Sequence, residues 1–284
     1  MIKLVIVLGS VGAASSAIFA RWANAPAPVL ALYRMLLSVA LLLPVIFRRH
    51  WDELKKIGFR QSAWCALSGV FFGLQVLLYF ESVRRTSIAE AEILTSTEVF
   101  FVIFFEVVFW KIPMSRFQVI GVTAAFLGSV VIAAGGAGEG RFSGDILAIF
   151  CAVSCAIFTL LGRKCREFIS NIVYTAIVNI FSGLTMLIFT IANGIRLTGW
   201  GSVNWLSALG LAVFSTLLGH SIFSWGLKYE NASFVSTVKM LGPVFGTIMA
   251  FLFLREIPNI TTVSGGVIVI LGVAMSIRSR EGKK

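Results

Sequence analysis

Charged residues are scarce in this sequence. Only 13% of its 284 residues are Asp, Glu, Lys or Arg, whereas 58% are hydrophobic and the mean hydropathy is +0.92. A soluble globular domain carries roughly 25% charged residues, and a disordered chain carries few apolar ones. The composition therefore excludes both classes and predicts that most of the chain lies in lipid. Because a helix needs ~20 apolar residues to cross a bilayer, the length has room for about ten spans and almost no domain outside the membrane.

The sequence also lacks the motifs of the common enzyme and cofactor classes. It contains two histidines, His50 and His220, and no H-E-x-x-H zinc motif. The absence of a G-x-x-x-x-G-K-[ST] phosphate loop excludes ATP as the direct energy source. The four cysteines show no C-x-x-C or Cys/His metal spacing and are predicted to be reduced structural thiols. We therefore predict no catalytic residue, no metal site and no cofactor.

Positive charge exceeds negative charge, with 24 Lys and Arg against 13 Asp and Glu and a net charge of +11. A nucleic-acid surface would concentrate these cations on one face of a soluble module. Here they are scattered between apolar runs, so no nucleic-acid partner is predicted. The apolar runs themselves predict ten helices, over 4–22, 28–47, 62–83, 88–110, 117–135, 145–162, 172–194, 204–226, 232–254 and 261–278.

The loops between these predicted helices carry an uneven distribution of Lys and Arg. If the N-terminus is cytoplasmic, sixteen cations lie on the cytoplasmic side, six lie on the other side, and Arg34 and Lys239 lie inside spans. The sixteen are Lys3, Arg48, Arg49, Lys55, Lys56, Arg60, Lys111, Arg116, Arg163, Lys164, Arg166, Lys228, Arg278, Arg280, Lys283 and Lys284; the six are Arg21, Arg84, Arg85, Arg141, Arg196 and Arg255. The positive-inside rule then predicts a multi-pass protein of the inner, cytoplasmic membrane with both termini in the cytoplasm.

An internal repeat divides the chain. The Ser-Ser-Ala-Ile-Phe segment at 15–19 recurs as Ser-Cys-Ala-Ile-Phe at 154–158. The Val-Phe and Ile-Pro pairs at 99–100 and 112–113 recur at 244–245 and 257–258, and the glycines at 121 and 128 recur at 265 and 272. Because five helices form each copy, the second copy must enter the membrane from the opposite side. We predict an all-α integral membrane fold of ten transmembrane helices, built as two inverted five-helix repeats over 1–138 and 139–284.

The second repeat carries a recognisable series of motifs. The segment G-H-S-I-F-S-W-G-L-K-Y at 219–229, followed by G-P-V-F at 242–245 and L-R-E at 254–256, resembles EamA-type transporters of the drug/metabolite transporter superfamily. The resemblance covers essentially the whole chain and extends to bacterial amino-acid and metabolite exporters, the aromatic amino-acid exporters among them. It implies a ten-helix bundle with a central cavity and export of amino acids or related small metabolites. In the first repeat, Glu98 stands in place of the family's proline and Lys111 in place of its glutamate.

Polar side chains inside the spans are the candidates for substrate contact, because a charge at mid-bilayer costs roughly 2.5–3.5 kcal/mol. Gln75 and His220 are 145 residues apart, so the repeat places them at equivalent positions, and Tyr79 lies one turn beyond Gln75. Glu98 and Lys239 lie within the fourth and ninth helices. We predict that these five residues contact the substrate. The alternatives are interhelical hydrogen bonds for Gln75 and His220 and an interfacial position for Tyr79.

Three further residues, Arg34, Glu92 and Glu106, are predicted to form a gate or ion pairs. Arg34 lies about 9 Å below the outer end of its helix, at the side where Glu92 begins the fourth helix. Their pairing would either gate the outer side or neutralise Arg34. Glu98 and Glu106 are both within reach of Lys239, which we expect to attract a substrate carboxylate while Glu98 serves as a protonatable switch. A structural ion pair without a role in transport is the alternative.

These observations favour a secondary transporter that exports amino acids or related small metabolites by alternating access. Its partners would be the small-molecule substrate, membrane lipid and, as a candidate coupling ion, protons. Within transport, an exporter of lipophilic cations or drugs is the alternative. An intramembrane enzyme and a membrane scaffold are the alternatives from other classes, and neither has a motif in its favour.

Overall fold

The computed structural model describes residues 1–83, 85, 88–134, 142–255 and 257–278. These residues form ten helical spans, here named α1 to α10, and several of the spans consist of consecutive segments. The first five are α1 (Ile2–Ala14, Ser16–Trp22), α2 (Ala27–Val45, Ile46–His50, Trp51–Lys56), α3 (Phe59–Val83), α4 (Ile88–Ser96, Glu98–Trp110) and α5 (Arg116–Ala134). The second five are α6 (Phe142–Cys165), α7 (Asn171–Ala192), α8 (Ser202–Gly210, Leu211–His220, Ser221–Gly226), α9 (Ala232–Lys239, Gly242–Met249, Ala250–Leu254) and α10 (Ile260–Arg278).

The described helices match the predicted membrane architecture. Nine of them are long and apolar enough to cross a bilayer, and α5 contributes a shorter apolar stretch, Arg116–Ile132. Large apolar side chains remain exposed on the outside of the bundle, among them Phe109, Ile188 and Leu271. This exposure suits a surface that faces lipid rather than water. The structure therefore confirms the predicted all-α integral membrane fold.

One predicted boundary is wrong. The second helix was expected to end near residue 47, but α2 passes Pro44, continues through a π-helical turn over Ile46–His50 and ends at Lys56. The final segment has Asp52 in its first turn and Lys56 in its last, an order of charges that the helix dipole favours.

The helix contacts are symmetric. When the first five helices are interchanged with the second five, each of the main contacts maps onto an equivalent contact. In the described part of the chain, α5 packs on α10, α2 on α7 and α4 on α9, each pair joining equivalent helices. The contact of α3 with α6 has its counterpart in that of α8 with α1. The antiparallel helices α5 and α10 approach closely: a Cβ added to Gly121 would lie 2.6 Å from the carbonyl oxygen of Gly272, and one added to Gly265 would lie 2.6 Å from that of Gly128. The glycines that recur in sequence therefore form two equivalent backbone contacts.

Candidate functional site

An ion pair lies where the two halves meet. The ammonium of Lys239, on α9, donates to Glu98 Oε1 on α4 at 2.9 Å. The pair is largely buried, yet 17% of the lysine side chain and 12% of the glutamate side chain remain exposed. Each charged side chain therefore keeps some surface that a small solute could contact.

Three uncharged side chains complete the surroundings of Glu98. Cys155 donates to Glu98 Oε2 at 2.6 Å, and Ser236 donates to Oε1 at 2.9 Å. Thr159 donates to Oε1 at 3.3 Å while accepting from Lys239 at 3.0 Å, so it bridges the two charges. The carboxylate is therefore satisfied on both oxygens, as a buried charge requires.

Breaks in two helices put these charges at helix ends. In α9, Pro243 has no N–H with which to bond the carbonyl of Lys239 four residues earlier, and the first segment ends at Lys239. In α4, a break at Thr97 makes Glu98 the first residue of the second segment. A helix dipole favours an anion at its N-terminus and a cation at its C-terminus. Both members of the pair therefore occupy electrostatically favourable ends.

A second group of polar residues lies beside this pair. The Arg34 guanidinium carbon lies 5.9 Å from the centre of the Phe72 ring, and the His220 ring meets Phe72 edge-on at 5.2 Å. Phe72 in turn contacts Phe158 at 4.8 Å, over which the Lys239 ammonium lies at 5.9 Å. Two buried phenylalanine rings therefore connect the Arg34 and His220 group to the Glu98–Lys239 pair.

Gln75 and Tyr79 extend this group along α3. Both side chains are partly buried, and the Gln75 side-chain oxygen is buried without a hydrogen-bond partner among the described residues. The backbone carbonyl of Gln75 accepts from the Cys151 thiol at 3.3 Å. Because Gln75 follows Phe72 by three residues, both lie on the same face of α3.

Glu106 belongs to a separate site at the start of α9. Its carboxylate is fully buried and accepts from the Arg163 guanidinium, from the Ala232 amide at 2.8 Å and from the Ser233 amide at 3.1 Å. It therefore pairs with Arg163 and caps α9 rather than contacting Lys239. The side chain of Glu92 lies outside the described part of the chain, as does that of Glu90.

Several of these partners were missed in the sequence. Cys155 and Thr159 were assigned no site role, although their spacing of four residues places them on one face of α6. Arg163 and Arg166 were counted only as loop charges. Arg166 is 3% exposed and donates to the carbonyls of Ser224 and Ile169, and burial lowers its pKa.

The side chains of this site offer charges and hydrogen-bonding groups that a small molecule could bind. Among the described residues, no cluster of three or more His, Cys, Asp or Glu side chains could hold a metal ion. Fixed charges, small hydroxyl groups and aromatic rings that lie together suit recognition of a small polar molecule.

Comparison with known proteins agrees with this architecture. Residues 1–134 and 142–278 each match the EamA-like transporter family. An "Uncharacterized transporter" of Archaeoglobus fulgidus is 28% identical over 255 residues, covering 87% of this chain and 86% of that protein. The "Pseudopaline exporter CntI" of Pseudomonas aeruginosa strain UCBPP-PA14 is 24% identical over 226 residues, covering 75% and 74%. A solved crystal structure superposes with a TM-score of 0.81 at 17% identity, covering 100% of this chain and 99% of the other, which shows a shared fold.

Proposed function

The chain belongs to the EamA-like transporter family, and on that premise we propose that it exports amino acids or related small metabolites by alternating access. Membership makes it a multi-pass membrane transporter of small molecules. The proposal adds the direction of transport, the substrate class and the mechanism. A relative named as an exporter supports the direction.

The Glu98–Lys239 pair carries the proposal. Secondary transporters of inverted-repeat design bind substrates near the midplane, at the ends of discontinuous helices. The pair occupies this kind of position, with Glu98 at the start of one half-helix and Lys239 at the end of another. Protonation of Glu98 would remove its charge and release Lys239 to bind a substrate carboxylate. Loss of that proton would restore the ion pair and displace the substrate, which makes protons the candidate coupling ion.

The proposal includes the arrangement of the chain in the membrane. It divides the chain into repeats over 1–138 and 139–284, in the inner membrane, with both termini in the cytoplasm. The excess of Lys and Arg in the loops assigned to the cytoplasm supports this orientation.

Two other functions have less support. An exporter of lipophilic cations would need a carboxylate free to bind its substrate, whereas Glu98 is neutralised by Lys239 and Glu106 by Arg163. An intramembrane enzyme would need a nucleophile or metal with an activating partner. Cys155 instead donates to a carboxylate that is already paired with a cation.

Flux in liposomes tests the proposal. Purified protein should accelerate flux of radiolabelled amino acids, and a pH gradient should drive accumulation. Lys239→Met and Glu98→Gln should each lower flux at least tenfold, and Glu98→Gln should abolish the response to the gradient. Lys228→Met, which removes an exposed lysine from the end of α8, is the matched control and should transport like the wild type. A folded double variant that transports like the wild type at every pH would refute both functional roles.

Access of a reagent to the predicted central cavity provides a second test. Cysteines placed at Gln75 and His220, on a background without native cysteines, should react with a small polar thiol reagent in membranes. A cysteine at Leu271, which is 64% exposed on the outer surface of α10, should not react because it faces lipid. If neither of the two introduced cysteines reacts with the reagent in well-folded protein, these positions do not line the cavity.

A further inference from the structure

We propose that Arg34 makes the first contact with the carboxylate of the transported molecule, before Lys239, and that the transported class is amino carboxylates. This inference rests on the function proposed above and deepens it. Arg34 lies on α2, about 10 Å along the helix from its start at Ala27. Its guanidinium points to Phe72 on α3, beside His220 on α8. Three helices from both halves of the bundle therefore surround this cation.

The guanidinium lacks the partners that a buried cation normally has. In the part of the chain that the structure describes, Arg34 forms no ion pair and its Nε atom is buried without a hydrogen-bond partner. An arginine cannot lose its proton to relieve this, unlike a lysine. A permanent cation at this depth is costly unless an anion reaches it. The geometry therefore points to an anion that the described residues do not supply.

Lys239 is less suited to be the first receptor. Its ammonium already donates to Glu98 and Thr159, so it becomes available only when Glu98 is protonated. Arg34 offers a planar fork that matches a carboxylate with two parallel hydrogen bonds. We therefore assign the initial contact with the substrate anion to Arg34.

An acceptor for the other end of the ligand lies one helical turn from Phe72. The Gln75 side-chain oxygen is buried and has no described partner, so it can accept an N–H from a ligand. A fixed cation and a free acceptor on neighbouring helices suit a molecule that carries both a carboxylate and an amino group. This pairing identifies amino carboxylates as the class.

A competing arrangement is available for Arg34. The carboxylate of Glu92 could neutralise it, in which case the pair would be structural. The two arrangements predict opposite effects of removing the charge. If Arg34 is unpaired, Arg34→Gln removes a costly buried cation and the ligand-free melting temperature stays the same or rises. If Arg34 is paired with Glu92, the same change leaves a buried carboxylate alone and the melting temperature falls.

Thermal unfolding of the purified full chain separates these outcomes without relying on transport. An equimolar mixture of neutral L-amino acids should raise the wild-type melting temperature in a dose-dependent manner, whereas the corresponding amino-acid amides should not. Arg34→Gln should abolish that rise, Arg34→Lys should retain part of it, and Arg60→Gln, which removes an exposed charge from the start of α3, should leave it unchanged. The comparison of acids with amides uses wild-type protein, so it stands even if a variant fails to fold.

Four results would overturn the inference. They are equal stabilisation by acids and amides, a full ligand response in Arg34→Gln, a lowered ligand-free melting temperature in that variant, and no response of the wild type to any amino acid. If liposomes containing the wild-type protein transport amino acids and any of the first three results is also found, only the role of Arg34 is overturned. Absence of both flux and a ligand response would overturn the proposed function as well.

Discussion

Replacement of Glu106 by glutamine should strongly destabilise the protein. The Glu106 carboxylate is fully buried and accepts three hydrogen bonds, from Arg163, Ala232 and Ser233. A glutamine offers one oxygen in place of two, so its NH₂ group must face one of these donors. The negative charge that stabilises the start of α9 and balances Arg163 is also lost.

The size of the effect follows from this geometry. Removing one member of a buried ion pair costs about 3–5 kcal/mol, because the other member remains without a partner. At roughly 2–4 °C per kcal/mol for a chain of 150–250 residues, the melting temperature should fall by about 10 °C. Arg163→Gln should cost roughly half as much, because the remaining Glu106 carboxylate keeps its two backbone donors at the start of α9.

Thermal unfolding of detergent-purified protein, followed by circular dichroism at 222 nm, measures this difference. Arg60→Gln is a suitable control, since it removes an exposed charge from the start of α3. Unfolding of Glu106→Gln at the temperature of the control, or a larger loss of stability in Arg163→Gln, would refute this prediction.

Two further predictions concern packing. Gly128→Ala should lower stability by about 1–3 kcal/mol, because the new Cβ would lie 2.8 Å from the carbonyl oxygen of Gly265. Gly246→Ala is the matched control and should be tolerated, since nothing lies within 4 Å of its Cβ position; similar melting temperatures for the two would contradict the close approach. Tyr174→Phe should lower the free energy of unfolding by about 1–3 kcal/mol, because the buried Ser68 hydroxyl loses its hydrogen bond of 2.7 Å to the Tyr174 hydroxyl. A denaturation midpoint equal to that of the wild type would disprove this.

Much of the architecture could be predicted because it depends on local composition. Long apolar runs must form helices in lipid, where no water satisfies the backbone. The recurring glycines at 121, 128, 265 and 272 identified equivalent positions in the two halves. The continuation of α2 beyond residue 47 was not predicted, because Arg48 and Arg49 interrupt the apolar run there and the π turn has no clear sequence signal.

The candidate site was only partly predictable. The sequence marked Glu98, Glu106 and Lys239 as charges in costly positions, because burial of a charge in a membrane demands a partner or a use. It left open which carboxylate faces the lysine. Depth along a helix can be counted from the residue number, but the rotation of each helix and its distance from a neighbour cannot.

Local sequence was therefore enough to predict the all-helical membrane fold, the repeat and the presence of Glu98, Glu106 and Lys239 inside spans. The partners of these charges depend on how the helices pack: Glu98 pairs with Lys239, and Glu106 pairs with Arg163 and caps α9. It also showed that Arg34 has no described carboxylate as a partner. The physical reason is that helix formation depends on neighbouring residues in the chain, whereas ion pairing depends on distances of a few ångströms between helices far apart in sequence.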